Sequence, residues 1–114
     1  MKKPLIFMLS FIFLLALPTG PATAVYNANV SGKISDLITY TDGDYIYFRL
    51  DNQPATHPTC NPSFFVIDGA TPAQRIDRLY SRAVAAKASG ETVYIGYDSQ
   101  GDCAHGYIRV HRVG

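Results

Sequence analysis

Two short motifs in this chain combine cysteine with histidine: His57-Pro-Thr-Cys60 and Cys103-Ala-His105. Two thiols and two imidazoles are the ligand inventory of a tetrahedral zinc site. The same cysteines are the only two in the chain. They could instead close a long loop as a disulfide, which stabilises by about 4 kcal/mol in a chain-entropy treatment. The Cys-x-His step is tighter than the usual ligand spacing and favours the disulfide. A second candidate is acidic. Asp36, Asp42 and Asp44 surround one hairpin and could hold a cation, although aspartates beside Gly43 are first of all turn formers. The chain has no Gly-x-Ser-x-Gly turn, no His-Glu-x-x-His and no phosphate-cradling glycine loop. The expectation is no catalytic residue and no cofactor. A metal enters only through the alternative set His57, Cys60, Cys103 and His105.

Binding chemistry has better material. Tyr45, Tyr47 and Tyr107 fall on outward strand faces, and a phenol offers a flat apolar surface with a hydroxyl at its end. Such groups suit sugar stacking or a subunit contact. Arg75, Arg78 and Arg82 share one flank of a helix, without an acidic residue three or four positions away. They lie in its first turns, where the helix dipole favours acids. An anionic ligand or a partner chain would account for them, as would a solvated face. His111 reads as solvent-facing on the last strand.

These residues must be positioned by a small domain. Residues 1–24 carry Lys2 and Lys3, an apolar run from Leu5 to Leu17, and then Ala22-Thr23-Ala24, the pattern of a secretory signal peptide. The run falls short of the roughly 20 residues that span a bilayer. The mature chain is expected to be residues 25–114, secreted or periplasmic and without a membrane anchor. Without Lys2 and Lys3, eight Lys and Arg stand against nine Asp and Glu. That near balance argues against nucleic acid as a partner, which needs a basic face. Export also favours oxidation of Cys60 and Cys103.

The helix is the clearest element. Thr71 reads as its N-cap, Pro72 as the first helical residue and Gln74 as the partner in a Thr-x-x-Gln capping box. Ile76, Leu79, Tyr80 and Ala83 come next at helical spacing, flanked by Val84 and Ala86, until Gly90 ends the helix. The remainder reads as strands. A long first strand runs from Val30 to Tyr40, with Leu37 out of phase, so a bulge is expected near Asp36. Asp42-Gly43 marks a hairpin. Beyond it Ile46, Phe48 and Leu50 alternate with Tyr45, Tyr47 and Arg49. Residues 51–63 form a long loop. Phe64–Ile67, Thr92–Tyr97 and Tyr107–Val113 complete five strands. The order β-β-β-α-β-β is that of an OB-fold, a small five-stranded Greek-key barrel.

The run Leu79-Tyr80-x-x-Ala83…Gly90-x-x-Val93-x-Ile95-x-Tyr97, together with Ser31-Gly32, resembles the receptor-binding B subunits of subtilase-cytotoxin and typhoid-toxin type. The resemblance implies an OB-fold, assembly into a pentameric ring and binding of sialylated glycans. It would make Ser31 a hydroxyl that bonds a sialic acid. The cysteines depart from that family, because Cys60 and Cys103 tie the second loop to the fourth. The chain also resembles small exported bacterial proteins with His-Pro-x-Cys, a helix ending Ala-Ser-Gly and a Gly-x-Cys. The expected function is a non-catalytic binding module whose ligand is a glycan or a partner protein. The alternatives are an envelope protein that binds or inhibits another protein, and a small metal-binding protein.

Overall fold

The computed structural model describes residues 26–114. The expected signal peptide lies outside the described residues. The described residues are mainly β with one helix: β1 (Ala28–Thr39), β2 (Ile46–Leu50), β3 (Asn61–Ile67), α1 (Ala73–Ser89), β4 (Thr92–Tyr97), β5 (Cys103–Ala104), β6 (Tyr107–Arg109) and β7 (Arg112–Val113).

Seven strands therefore stand where five were expected, for two reasons. The loop after β4 contributes the two-residue β5, which pairs back on β6. The last expected strand is divided, because it leaves one neighbour for another partway along. The Val110 N–H donates to Val66 O at 2.9 Å, and the next N–H, that of His111, donates to Gly96 O at 2.8 Å. So β6 runs parallel to β3, whereas β7 runs antiparallel to β4. The strand order is β5-β6-β3-β2-β1-β4-β7, and the sheet curls into a half-barrel.

The long β1 pairs with β4 through its first half and with β2 through its second. The expected bulge lies between Ile34 and Asp36. It reverses the facing of the second half of the strand. Ile34 is buried and Leu37 packs against the core, while Ile38 and Tyr40 line an outer groove. The extra residue explains why Leu37 is out of phase in the sequence. In β2 the alternation holds, with Ile46, Phe48 and Leu50 buried.

The core gathers Phe48, Leu50, Phe65, Ile67, Val93, Ile95 and Ile108 under the helix residues Ala83 and Ala86. Ile76, Leu79 and Tyr80 pack at its margin, half-buried. Val84, the expected flank of the stripe, is 39% exposed. The helix thus meets the sheet through its two small alanines, which allows the backbones to approach closely.

The helix start corrects the capping-box expectation. Pro72 is the N-cap, and among the described residues no side chain caps the first turn. Thr71 belongs to the preceding turn, where its N–H donates to Asp68 O at 3.0 Å. The Pro72 carbonyl accepts the N–H groups of Arg75 and Ile76 at 2.8 and 3.1 Å. Gly90 ends the helix as expected, with φ of 73°, and its N–H donates to Ala86 O.

Candidate functional site

Two loops are strapped together at one end of the sheet, and the strap sets the site. Cys60 and Cys103 form a disulfide with Cα atoms 5.5 Å apart. Beside it, His57 Nδ1 accepts the N–H groups of Thr59 and Cys60, at 3.2 and 2.9 Å. Its proton therefore sits on Nε2, which donates to Asp98 O at 2.9 Å. The Thr59 hydroxyl adds a bond to Gln100 O at 2.7 Å. These contacts correct the zinc alternative. Both thiols are consumed by the disulfide, both nitrogens of His57 hold backbone, and His105 points to a different cluster. Among the described residues no group of three or more metal-ligating side chains converges. Asp36 leaves the acidic trio as well, because it pairs with Arg49 across the bulge at 2.8 Å. That hydrogen bond from Arg49 is the main reason its carboxyl titrates below the usual carboxylate range.

Two residues past Cys103, the chain turns at His105 and Gly106, both with positive φ (56° and 86°). Paired positive φ values make the tight turn that suits a two-residue hairpin between β5 and β6. Histidine is one of the few side chains tolerated there. The turn lays the His105 ring on Tyr45, stacked at 4.5 Å between centroids and 13° between planes. His105 Nδ1 is hydrogen-bonded to the Tyr47 hydroxyl.

From this contact an aromatic cluster spreads over the outer face of the sheet. Tyr47 is its centre, meeting Tyr40 and Tyr107 edge-on at 5.6 and 5.5 Å. Phe64 closes against Tyr47 and Tyr107, at 6.3 and 6.1 Å. Edge-to-face contacts at these separations are favourable beyond the area they bury. The Arg49 guanidinium lies 5.2 Å from the centre of the Phe64 ring, steadied on its other side by Asp36. Below the cluster Val66 is fully buried, paired across with Tyr47, yet it is not part of the main core. The outer face is thus a second, thin packing layer.

The cluster lines a groove of about 500 Å³, with Ile38, Asp42 and Gly43 completing its wall. Tyr45, Tyr47, Phe64 and Tyr107 are half-buried, while Tyr40 is 57% exposed at the rim. Burial, reinforced by the neighbouring phenols, raises the pKa of Tyr47 above the ordinary tyrosine value. Its hydroxyl stays protonated through neutral pH and can donate to His105, leaving Nε2–H of His105 as a further donor.

The structure brings Tyr45, Tyr47 and Tyr107 together, as their shared outward facing suggests. It leaves Ser31 apart. Ser31 pairs with Tyr94 on the β4 half of β1, its carbonyl accepts the Asn52 amide at 2.7 Å, and it lines none of this groove.

The arginines divide too. Arg82 holds Glu91 through two bonds, at 2.9 and 3.3 Å, an acidic partner beyond helical spacing. That bond from Arg82 lowers the pKa of Glu91, and the bond to Glu91 raises that of Arg82. Arg75 and Arg78 instead line a second groove, of about 550 Å³, with Arg109 and His111 opposite. Arg109 contacts the buried Asp68 at 2.7 Å and Asp102 at 3.0 Å. His111 is not solvent-facing: it is half-buried, paired with Asp102 and stacked on Tyr26.

Sequence reasoning missed Tyr40, Phe64 and His105 as groove residues. Phe64 was legible from its alternation with the buried Phe65. Tyr40 needed the bulge to be placed, and His105 needed its turn with Gly106 to be recognised. No protein-family model, curated protein or solved structure matches this chain.

Proposed function

We propose that this protein is a non-catalytic binding module whose aromatic groove takes a carbohydrate. One observation carries the reading: five aromatic side chains and His105 surround a single open groove on the outer face of the sheet. The C–H faces of a sugar ring are apolar and flat enough to lie on a phenol, while its hydroxyls need donors and acceptors at the edge. Tyr45 and Tyr107 supply flat walls. The Tyr47 hydroxyl, His105 Nε2 and the Asp42 carboxylate supply polar edges. A volume of about 500 Å³ falls inside the range of small-molecule sites, roughly 300–1,000 Å³.

The same proposal reads the fold as OB-like. A long bulged strand shared between two neighbours supports it, as does the helix between β3 and β4. The final segment, passing from parallel pairing on β3 to antiparallel pairing on β4, is further support. In such barrels the outer strand face and its flanking loops take oligosaccharides and oligonucleotides. The near-neutral mature charge favours the sugar over the nucleic acid.

Nuclear magnetic resonance of the isolated protein tests the proposal, with lactose and sialyllactose as probes. Saturable shifts confined to Tyr40, Tyr45, Tyr47, His105 and Tyr107 are expected with at least one of them. Shifts centred on Ser31 or elsewhere, or none with either sugar, would overturn it.

A further inference from the structure

The second groove has a different chemistry, and its reading does not depend on the carbohydrate site. It lies between the first turns of α1 and the segment from Arg109 to His111. Arg75 and Arg78 project from the helix side, and among the described residues neither forms an ion pair. Two unpaired guanidinium groups one helical turn apart repel each other, and Arg75 sits in the first turn, where positive charge is least favoured. Among the described residues the first turn has no side-chain cap, and it holds no acidic residue, so its leading N–H groups face the same end.

The opposite wall is rigid. Arg109 is held by Asp68, only 7% exposed, and by Asp102, which also holds His111. Both carboxylates are thereby occupied, so neither neutralises Arg75 or Arg78. The Arg109 Nε atom is itself buried. Although Asp102 lies 3.0 Å from it, among the described residues no acceptor meets its N–H in line. Between the charged walls the lining is apolar, from Ala70, Pro72, Leu79 and Val110. At about 550 Å³ the groove is far larger than a bare oxyanion requires.

We propose that this groove is a binding site for an oxyanion carried on a small apolar body. The carboxylate or phosphate group would be gripped by Arg75 and Arg78 at the head of α1, with the body lying on Leu79 and Val110. Guanidinium forks match either oxyanion in bidentate geometry, and charge-assisted bonds of this kind are among the stronger ones.

Phenyl phosphate, benzoate, inorganic phosphate and benzyl alcohol, each at the same ionic strength, distinguish the contributions when titrated into the full mature chain. Amide and guanidinium shifts report the site. Phenyl phosphate and benzoate are expected to shift Ala73, Arg75, Arg78 and Val110 saturably, and their relative affinity identifies the preferred oxyanion. Inorganic phosphate should bind at least tenfold more weakly than phenyl phosphate, and benzyl alcohol should not bind. The double variant Arg75→Gln/Arg78→Gln should weaken both organic anions at least tenfold, while its spectrum stays folded because both side chains are exposed. Four results would each overturn the proposal: no shift with either organic anion, equal binding of inorganic phosphate, equal binding of the neutral alcohol, or unchanged affinity in the variant. Shifts at the Tyr45–His105 groove are scored separately, so failure of one site leaves the other standing.

Discussion

Tyr47 joins the two layers of the site: its ring is the hub of the outer aromatic face, and its hydroxyl meets His105. Desolvation is the first cause of its raised pKa, so the fold favours the neutral phenol. Linkage gives the sign. Stability from the neutral form is fully present below the ordinary tyrosine pKa, near 10, and is lost as pH rises through the higher folded value. Alkaline titration monitored by phenolate absorbance should therefore show a last step, above the ordinary tyrosine range, that belongs to Tyr47. Tyr47→Phe should remove that last step, and an unchanged titration would place the late phenol elsewhere. His57 teaches a different lesson at the same scale. Beside a cysteine it has the look of a metal ligand, yet it spends both nitrogens on backbone. Spacing and the expected export favoured the Cys60–Cys103 disulfide that joins the two loops, but residue type gave no sign that His57 would be spent on backbone.

Among the elements, α1 was the most legible and still shifted in frame. Its stripe, its end at Gly90 and its place between strands all came from periodicity and from glycine's tolerance of positive φ. Its start did not, because Thr71 is recruited by the Asp68 turn and Pro72 takes the cap position. Of the expected stripe, Ile76, Leu79 and Tyr80 are half-buried, and full burial falls on Ala83 and on the flanking Ala86. Close approach to the sheet leaves no space for larger side chains there. Ala83→Leu should destabilise by about 1–3 kcal/mol or more through overpacking. Val84→Ala, on the exposed flank, should change stability by under about 0.5 kcal/mol. Denaturant unfolding of the two variants checks the phase, and a reversed order would mean that the helix is rotated. The last strand was the least legible. Its apolar alternation through Ile108 and Val110 gives no sign that hydrogen bonding passes from β3 to β4 between Val110 and His111, since that exchange is set by sheet curvature. The two-residue β5 is equally silent, being held by its disulfide and its turn rather than by strand propensity.

At the scale of the whole molecule, the disulfide couples stability to the site. It joins the long loop before β3 to the hairpin that carries His105, across a sequence separation of 43. Removing it through Cys60→Ala/Cys103→Ala should cost about 4 kcal/mol by chain entropy. Thermal unfolding of this variant should fall well below wild type, and an unchanged midpoint would show that His57 and Thr59 hold the loops unaided. The outermost strands, β5 and β7, have two residues each. The ring implied by the toxin-like resemblance would therefore have little edge to pair and would draw on other surfaces. A glycan array probed in parallel with wild type and Tyr45→Ala decides whether the outer aromatic groove binds carbohydrate, as proposed. Tyr45 stacks on His105 at the groove wall without entering the main core, so the variant should remain folded. Retention of the wild type on a defined set of glycans, with at least a tenfold loss in Tyr45→Ala, is the predicted result. No retention of the folded wild type on any glycan, or equal retention of both proteins, would contradict it.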